Sequence, residues 1–217
     1  MKKTIITTVM AFIVMCTFGQ SKKDHYVFPE FKEAVAVFKD GSQQTGYLNY
    51  NGLTKNFALL EDGEIKSVSK KDAENVDMVY IENRKFIYRG DQFYEIIFRT
   101  SKVELLVEYN ATLKTNTEGR NAYGSSSQTT STQVVSTVEN SSVVLNTDLP
   151  EAYSVEMKLN YILTDKKGTE SFKSLNQIKK HYAKHKKQYK AYVKAKDVDF
   201  YDPASVGALI SYLKSLS

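Results

Sequence analysis

The stretch AVAVFKDGSQQTGYLNYNGLTKNFALLEDG, residues 34–63, decides the fold of this chain. Its apolar runs are separated by three turn pairs, namely Asp40-Gly41, Asn51-Gly52 and Asp62-Gly63. Asp-Gly and Asn-Gly are strong hairpin signals, because these residues accept a positive φ at low cost. The stretch therefore predicts short antiparallel strands at 34–38, 46–50 and 57–60.

The strand period continues beyond this stretch. Further strands are predicted at 65–68, 76–81, 86–89, 93–99 and 103–109. The chain has fifteen Tyr and eleven Phe, which suit a half-buried pleated surface. The pattern predicts an antiparallel β meander over a β-rich domain at 20–109, closed into a small barrel or folded into a sandwich.

Residues 110–147 break the alternation, because Ser, Thr, Asn and Gly dominate there. Such a composition predicts a mobile loop or linker. The alternative is a protruding hairpin that pairs Val134-Val135 with residues 143–145. Apolar residues then alternate from Tyr153 to Leu163, so the last strand of the β domain is assigned to 148–168.

The rest of the chain, 169–217, predicts a basic helical segment of two or three helices, which makes the fold class α+β. Ser174 and Gln177 form a capping box. Five apolar residues share one stripe of the helix that follows: Leu175, Ile178, Tyr182, Tyr189 and Val193. Asp202-Pro203 starts a last helix, whose apolar face is Val206, Leu209, Ile210, Leu213 and Leu216.

The N-terminus has the order of regions of a secretory signal peptide. Lys2 and Lys3 precede an apolar run at 5–18, and the chain turns polar at Gln20. We expect a signal peptide at 1–19, cleaved before Gln20, and an exported protein in the periplasm, on the outer membrane or secreted. The run is shorter than the roughly 20 residues of a membrane-spanning helix, so no transmembrane segment is expected in the mature chain.

Cys16 permits a second interpretation, in which the chain is a bacterial lipoprotein cleaved before that cysteine. Met15 argues against it, since lipoprotein processing needs a small residue at that position. With Cys16 removed, the mature chain has no cysteine. That excludes a disulfide framework, a thiol nucleophile and a thiolate metal site.

Charge is distributed unevenly along the chain. The net charge of +5 falls to +3 without Lys2 and Lys3, and residues 171–196 hold nine lysines and no acidic residue. Lysine-rich helices can contact phosphate or carboxylate groups of lipids and glycans. The candidate polyanion-binding residues are Lys179, Lys180, Lys184, Lys186, Lys187, Lys190 and Lys194.

Two pairs of side chains could suggest catalysis or metal binding. His181 and His185 have helical i, i+4 spacing, but no third ligand is evident and packing is the better interpretation. Glu104 and Glu108 are four residues apart on a strand, or about 13 Å, which is too far for paired carboxylate catalysis. We expect them to lie on a solvated strand face.

Other catalytic signatures are missing from the sequence. Residues 124–128 fail the Gly-x-Ser-x-Gly pattern of serine hydrolases. The chain also has no phosphate-binding loop, dinucleotide fingerprint or calcium loop. We therefore expect no catalytic residues, no metal site and no cofactor.

Several of these features together resemble a group of short exported Bacteroidota-type cell-envelope proteins. They are the Thr17-Phe18-Gly19/Gln20 cleavage site, Phe38-Lys39-Asp40-Gly41, Gly46-Tyr47-Leu48, and in the tail Leu175, Ile178, Tyr182, His185, Tyr189, Tyr192-Val193-Lys194, Asp199-Phe200 and 209–213. The resemblance implies an envelope location and a β-then-α architecture. It implies no site residues.

The expected function is accordingly a non-enzymatic binding or assembly protein of the cell envelope. Its partner would be another envelope protein or an anionic lipid or glycan, and export argues against nucleic acid. One alternative is a polyanion or anionic-membrane binder that acts through the lysine-rich helix. A second alternative is an enzyme of unrecognised type. The ligand and the oligomeric state do not follow from the sequence.

Overall fold

The computed structural model describes residues 25–115 and 153–216. Its strands are β1 Lys32–Phe38, β2 Gln43–Asn51, β3 Asn56–Glu61, β4 Glu64–Ser67, β5 Val76–Ile81, β6 Arg84–Arg89, β7 Gln92–Arg99, β8 Glu104–Thr115, β9 Tyr153–Asp165 and β10 Gly168–Phe172. Its helices are α1 Lys70–Asn75, α2 Leu175–His181, α3 Lys186–Lys196 and α4 Pro203–Ser215, with a 3₁₀ turn at Ala183–His185. The α+β class is confirmed. The signal peptide and the 134–145 hairpin alternative lie outside the described residues.

The strands form one open antiparallel sheet in the order β10-β9-β8-β7-β6-β5-β1-β2-β3-β4. Strands that follow one another in sequence are paired in the sheet, with one exception. Helix α1 carries the chain from β4 back to the other side of β1, where β5 pairs with β1. The short strands β4 and β10 are its two edges. An antiparallel sheet followed by C-terminal helices is therefore confirmed, whereas the predicted meander is interrupted between β4 and β5.

Two of the predicted turns behave differently. Asp62 and Gly63 both have positive φ, 52° and 81°, as a two-residue hairpin between Glu61 and Glu64 requires. Gly52, in contrast, belongs to a longer turn. A β-carbon on Gly52 would lie 2.8 Å from the methyl carbon of Met157, so the glycine serves close packing there.

The sheet curls strongly, and the turn after β2 reaches β7. The Phe93 amide donates to the Lys55 carbonyl over 3.1 Å, and the Tyr50 hydroxyl donates to the Phe93 carbonyl over 3.0 Å. Phe57 packs edge to face on Phe86 and on Phe93, with ring centroids 5.3 and 4.9 Å apart. These aromatic rings fill the concave face of the sheet.

Residues 25–31 close one end of this concave face. The Val27 amide donates to the Tyr50 carbonyl over 2.9 Å. The Asn49 side chain accepts from the Phe28 amide and donates to the Phe28 carbonyl, at 3.1 and 2.8 Å. Phe28 lies against Phe86 at 6.2 Å, so the described chain begins beneath the aromatic core.

Strand β8 extends beyond its predicted end at residue 109, where it continues to pair with β9. The two strands pair continuously from Glu104↔Thr164 to Thr115↔Tyr153, so six residues assigned to the linker at 110–147 are strand. Strand β10 was also missed, because Gly168–Phe172 has a single buried residue, Phe172. An edge strand needs only a short apolar face.

The C-terminal helices cover the concave face beside β7, β9 and β10. Asp202 caps α4 by accepting from the Ala204 amide over 2.9 Å, which confirms the predicted helix start. Four of the five predicted apolar residues are buried, and Leu216 is exposed at the helix end. The Tyr161 hydroxyl donates to the Phe200 carbonyl over 2.8 Å.

In the described part of the chain, no helix has the length and hydropathy needed to cross a membrane.

Candidate functional site

The lysine-rich segment is bent and does not form one helix, which corrects the predicted geometry. Helix α2 ends at His181, and α3 begins only at Lys186 after the 3₁₀ turn. The Tyr189 hydroxyl donates to the Leu175 carbonyl over 2.9 Å. In a straight helix these residues would be about 21 Å apart at 1.5 Å per residue, so α3 folds back along α2.

The bend has a packing cause. Ile178, Tyr182 and Tyr189 are buried, and Leu175 and Val193 are partly buried against the same core. The five predicted stripe residues thus reach the core from two helices. The Ser174 hydroxyl accepts from the Gln177 amide as predicted, while the Gln177 side chain accepts from the Lys173 amide.

The outward surface of α2, the 3₁₀ turn and α3 is strongly basic, and we call it the basic surface. Its seven candidate lysines are Lys179, Lys180, Lys184, Lys186, Lys187, Lys190 and Lys194. Six are exposed, and Lys179 is half-buried. The bend distributes them over two helices, so they form a patch and not a single row.

None of these seven lysines makes an ion pair with a residue that the structure describes. Elsewhere in the described chain, seven lysines do so: Lys32, Lys55, Lys66, Lys70, Lys114, Lys158 and Lys214. Helix α3 has no acidic residue in its first turn, where Lys186 and Lys187 face the positive end of the helix dipole. Within the described residues, no ion pair therefore neutralises the positive charge of these seven lysines.

The two histidines do not form a metal site within the described structure. His181 ends α2, where its ring packs edge to face on Phe172 at 5.2 Å. His185 lies in the 3₁₀ turn and is half-buried. No group of three or more His, Cys, Asp or Glu in residues 25–115 and 153–216 is placed to hold a metal ion.

Glu104 and Glu108 are largely buried, which corrects the expectation that they lie on a solvated strand face. Glu104 accepts from Arg89 and Arg99 at 2.8 and 2.6 Å, and its side chain is 15% exposed. Glu108 accepts from Lys55 over 2.8 Å and is 13% exposed. Burial raises the pKa of Glu104, but the two guanidinium groups outweigh it and hold that pKa below its ordinary value.

Sequence reasoning missed a buried charged cluster. The Arg84 guanidinium binds the Glu95 carboxylate through two hydrogen bonds of 2.8 and 2.7 Å, and it also donates to the Tyr109 hydroxyl. That hydroxyl donates to Glu95 over 2.5 Å. Arg84 lies 4.5 Å from the Phe28 ring centroid. Burial raises the pKa of Tyr109 well above its ordinary value, so the phenol stays protonated. Every charge in this cluster has a partner, which indicates a structural role.

The structure also contains an apolar cavity of about 410 Å³ that the sequence did not indicate. It opens between β4, α1 and the strands β1, β2 and β5. Its apolar lining is Ala36, Phe38, Leu48, Phe57, Leu59, Val68, Val76, Val79 and Phe93. The one local signal was the small size of Ala36 and Gly46, which lie inside two otherwise bulky strands.

Three comparisons with known proteins complete the description of these sites. A scan against protein-family models, a search of curated proteins and a search of solved structures each found no match to this chain.

Proposed function

We propose that this chain is an exported, non-enzymatic binding protein of the cell envelope, and that the basic surface is the part that binds. The ligand is an anionic lipid headgroup or glycan. The observation that carries the proposal is the absence of acidic partners around the seven lysines within the described chain, where many other lysines are paired.

Like charges on neighbouring turns of a helix repel one another and lower stability. Bound anions would relieve that repulsion on the basic surface. Lysine presents a compact point charge and not the planar fork of arginine, so it favours diffuse contact over recognition of one geometry. A surface of this kind suits a layer of anionic headgroups, where about 1 kcal/mol per lysine is typical.

The fate of the core carboxylates supports a non-enzymatic role. Glu95, Glu104 and Glu108 each accept hydrogen bonds from a cationic side chain. A general acid or base needs an environment that brings its pKa near the working pH. Tight pairing with arginine or lysine favours the ionised carboxylate instead, as the lowered pKa of Glu104 and of Glu108 reflects.

For the fold itself, we propose that the curled part of the sheet is a small, incompletely closed barrel and not a sandwich. The Lys55–Phe93 hydrogen bond between the turn after β2 and the start of β7 supports this. A sandwich would place two separate sheets face to face, whereas these strands belong to one hydrogen-bonded sheet.

The binding proposal is tested with the purified mature protein and two kinds of vesicle. We expect cosedimentation with vesicles that contain phosphatidylglycerol and none with vesicles of phosphatidylcholine alone. Binding should fall steeply as the Debye length shrinks from about 10 Å at 0.1 M salt to about 3 Å at 1 M. Absence of binding to the anionic vesicles at low salt would overturn the lipid arm of the proposal, and soluble anionic glycans test the other arm.

A charge-matched pair of variants assigns the binding to the basic surface. The test variant changes Lys179, Lys180, Lys186 and Lys187 to Glu. The control changes Lys71, Lys85, Lys102 and Lys166, all exposed on the β domain, to Glu. We expect the test variant to lose binding and the control to keep most of it. Equal loss in both would mean that only net charge matters.

The assembly alternative predicts a different result in the native envelope. A pull-down with the tagged mature protein should recover a protein partner that survives moderate salt if a packed interface exists. Anionic lipid or glycan that is washed off by the same salt would instead support the basic surface.

A further inference from the structure

The apolar cavity is independent of the basic surface and lies on the β domain. Its floor is formed by Phe57 and Phe93, whose ring centroids are 4.9 Å apart. Beneath the floor, Phe86 packs on Phe57, and Phe28 with Arg84 closes the opposite end of the concave face. Aromatic side chains therefore back the cavity, and residues of β4 and α1 lie at its polar side.

Small residues create the space. Ala36 and Gly46 belong to the central strands β1 and β2, and both line the cavity. Ala36 pairs with Val79 on one side and with Gln44 on the other, so its small side chain lies in the middle of the wall. A β-carbon at Gly46 would already lie 3.1 Å from a Leu59 methyl group, so bulk at this wall is tightly limited.

The mouth is polar, and its two charged lining residues, Lys66 and Asp72, have opposite signs. Gln44, Thr45, Ser67 and Ser69 lie among its lining residues. Lys66 binds the Glu61 carboxylate over 2.8 Å. Asp72 accepts from the Ser69 hydroxyl over 2.6 Å. Lys66 is ion-paired, whereas the hydroxyl beside Asp72 is neutral and leaves the carboxylate charge in place. The lining thus contains one cation and one anion and selects neither sign of charge, and its hydroxyl and amide groups offer hydrogen bonds to a neutral head group.

We propose that this cavity binds one alkyl chain of a neutral amphiphile, with the uncharged hydrogen-bonding head at the polar mouth. A volume of about 410 Å³ lies within the usual range of small-molecule sites. A water molecule occupies about 30 Å³ and a methylene group is similar in size, so the cavity accommodates roughly ten carbons. Burial of each methylene removes apolar surface from water, which gives a chain of this length a substantial driving force for binding.

The experiment titrates the mature protein with monodecanoylglycerol, below the concentration at which it forms micelles, in a calorimeter. We expect one saturable site and a negative heat-capacity change, the mark of apolar burial. Decanoate and decylamine place a charge at the same mouth and should bind roughly tenfold more weakly or worse. If decanoate or decylamine binds as tightly as monodecanoylglycerol, the preference of the mouth for a neutral head group is contradicted.

Two substitutions on neighbouring positions of β1 test the location. Ala36→Phe fills the cavity and should raise Kd roughly tenfold or more, whereas Val35→Phe places the same ring on the other face of the strand and should leave Kd unchanged. If circular dichroism shows that Ala36→Phe is unfolded, Ala36→Leu replaces it.

The proposal is overturned if the wild-type protein shows no saturable binding, or if a folded Ala36 variant binds as well as wild type. The four-lysine variant of the basic surface separates this result from the vesicle experiment. It should bind monodecanoylglycerol normally, because its substitutions lie on α2 and α3 and none of the four residues lines the cavity.

Discussion

The hydroxyl of Tyr189 donates a hydrogen bond to the carbonyl of Leu175 over 2.9 Å, across fourteen residues of a segment whose sequence suggests one continuous helix. The bond fastens α3 to the first turn of α2. Because of this bend, Lys179 and Lys180 lie on one helix, and Lys186, Lys187 and the lysines after them on another. The shape of the basic surface therefore depends on tertiary contacts, of which this hydrogen bond is one.

Loss of that contact should loosen the bend. Tyr189→Phe removes only the hydroxyl and leaves the Leu175 carbonyl without this donor, so we expect a loss of about 1 kcal/mol in the free energy of unfolding. Urea denaturation followed by circular dichroism measures it. Tyr201→Phe is the control, since that side chain is 63% exposed and should change stability little. Equal effects at the two positions would contradict the assigned role of Tyr189.

Removal of one charged partner from the buried cluster of Arg84, Glu95 and Tyr109 should lower the free energy of unfolding far more than Tyr189→Phe does. Glu95→Ala leaves the Arg84 guanidinium without its carboxylate beneath Phe28, and we expect a loss of about 3 to 5 kcal/mol. Asp91→Ala is the control, because the Lys70–Asp91 pair is 67% and 83% exposed, and it should change the stability little. The double variant Arg84→Met, Glu95→Leu should be more stable than Glu95→Ala. A double variant less stable than the single one would show that the ions themselves are required.

Low pH should weaken the contribution of Glu104 to the stability of the folded protein. Its pKa is lowered from the ordinary 4.5 in the folded protein, so its stabilisation is fully present above that value and is lost as the pH falls through the folded pKa. Glu104→Gln should therefore be less stable than wild type at about pH 7, and the difference should shrink at about pH 3. Urea denaturation at both values measures it. Glu33→Gln, on an exposed residue of β1, is the control and should change stability little at about pH 7.

A methyl group on α4 should disturb the junction between helix and sheet. A β-carbon at Gly207 would lie 2.4 Å from Cγ2 of Ile97. Alanine normally stabilises a helix interior by about 1 kcal/mol over glycine, but overpacking costs about 1 to 3 kcal/mol. We expect Gly207→Ala to lower the melting temperature. In a protein that already carries Ile97→Ala, Gly207→Ala should lower stability less than it does in the wild-type protein. Equal effects of Gly207→Ala in the two backgrounds would contradict the contact.

The sequence predicted those elements whose signals are local. Asp62-Gly63 and Asp202-Pro203 specify a turn and a helix start through their own backbone preferences, so both were found. Strand β10 was missed because its residues are mostly polar, and the end of β8 was missed because Asn110 and Thr112 resemble a linker in composition. Their strand state depends on pairing with β9.

The candidate sites were predicted unevenly for the same reason. The lysines were predicted because their charge can be read from the sequence. The patch that they form over two helices was not predicted. The pairing of Arg84 with Glu95 and Tyr109 depends on the register of three strands. The cavity depends on the curl of the whole sheet, and the small size of Ala36 and Gly46 does not by itself indicate where the sheet leaves space.

The sequence by itself determined an antiparallel β meander followed by basic helices, because side-chain period, turn residues and helix caps act over a few residues. Only the tertiary structure decided the bend at Tyr182, the buried ion pair and the apolar cavity. Each of these depends on contacts between residues far apart in the chain, and the free energy of such contacts is set by packing and burial that no local pattern specifies.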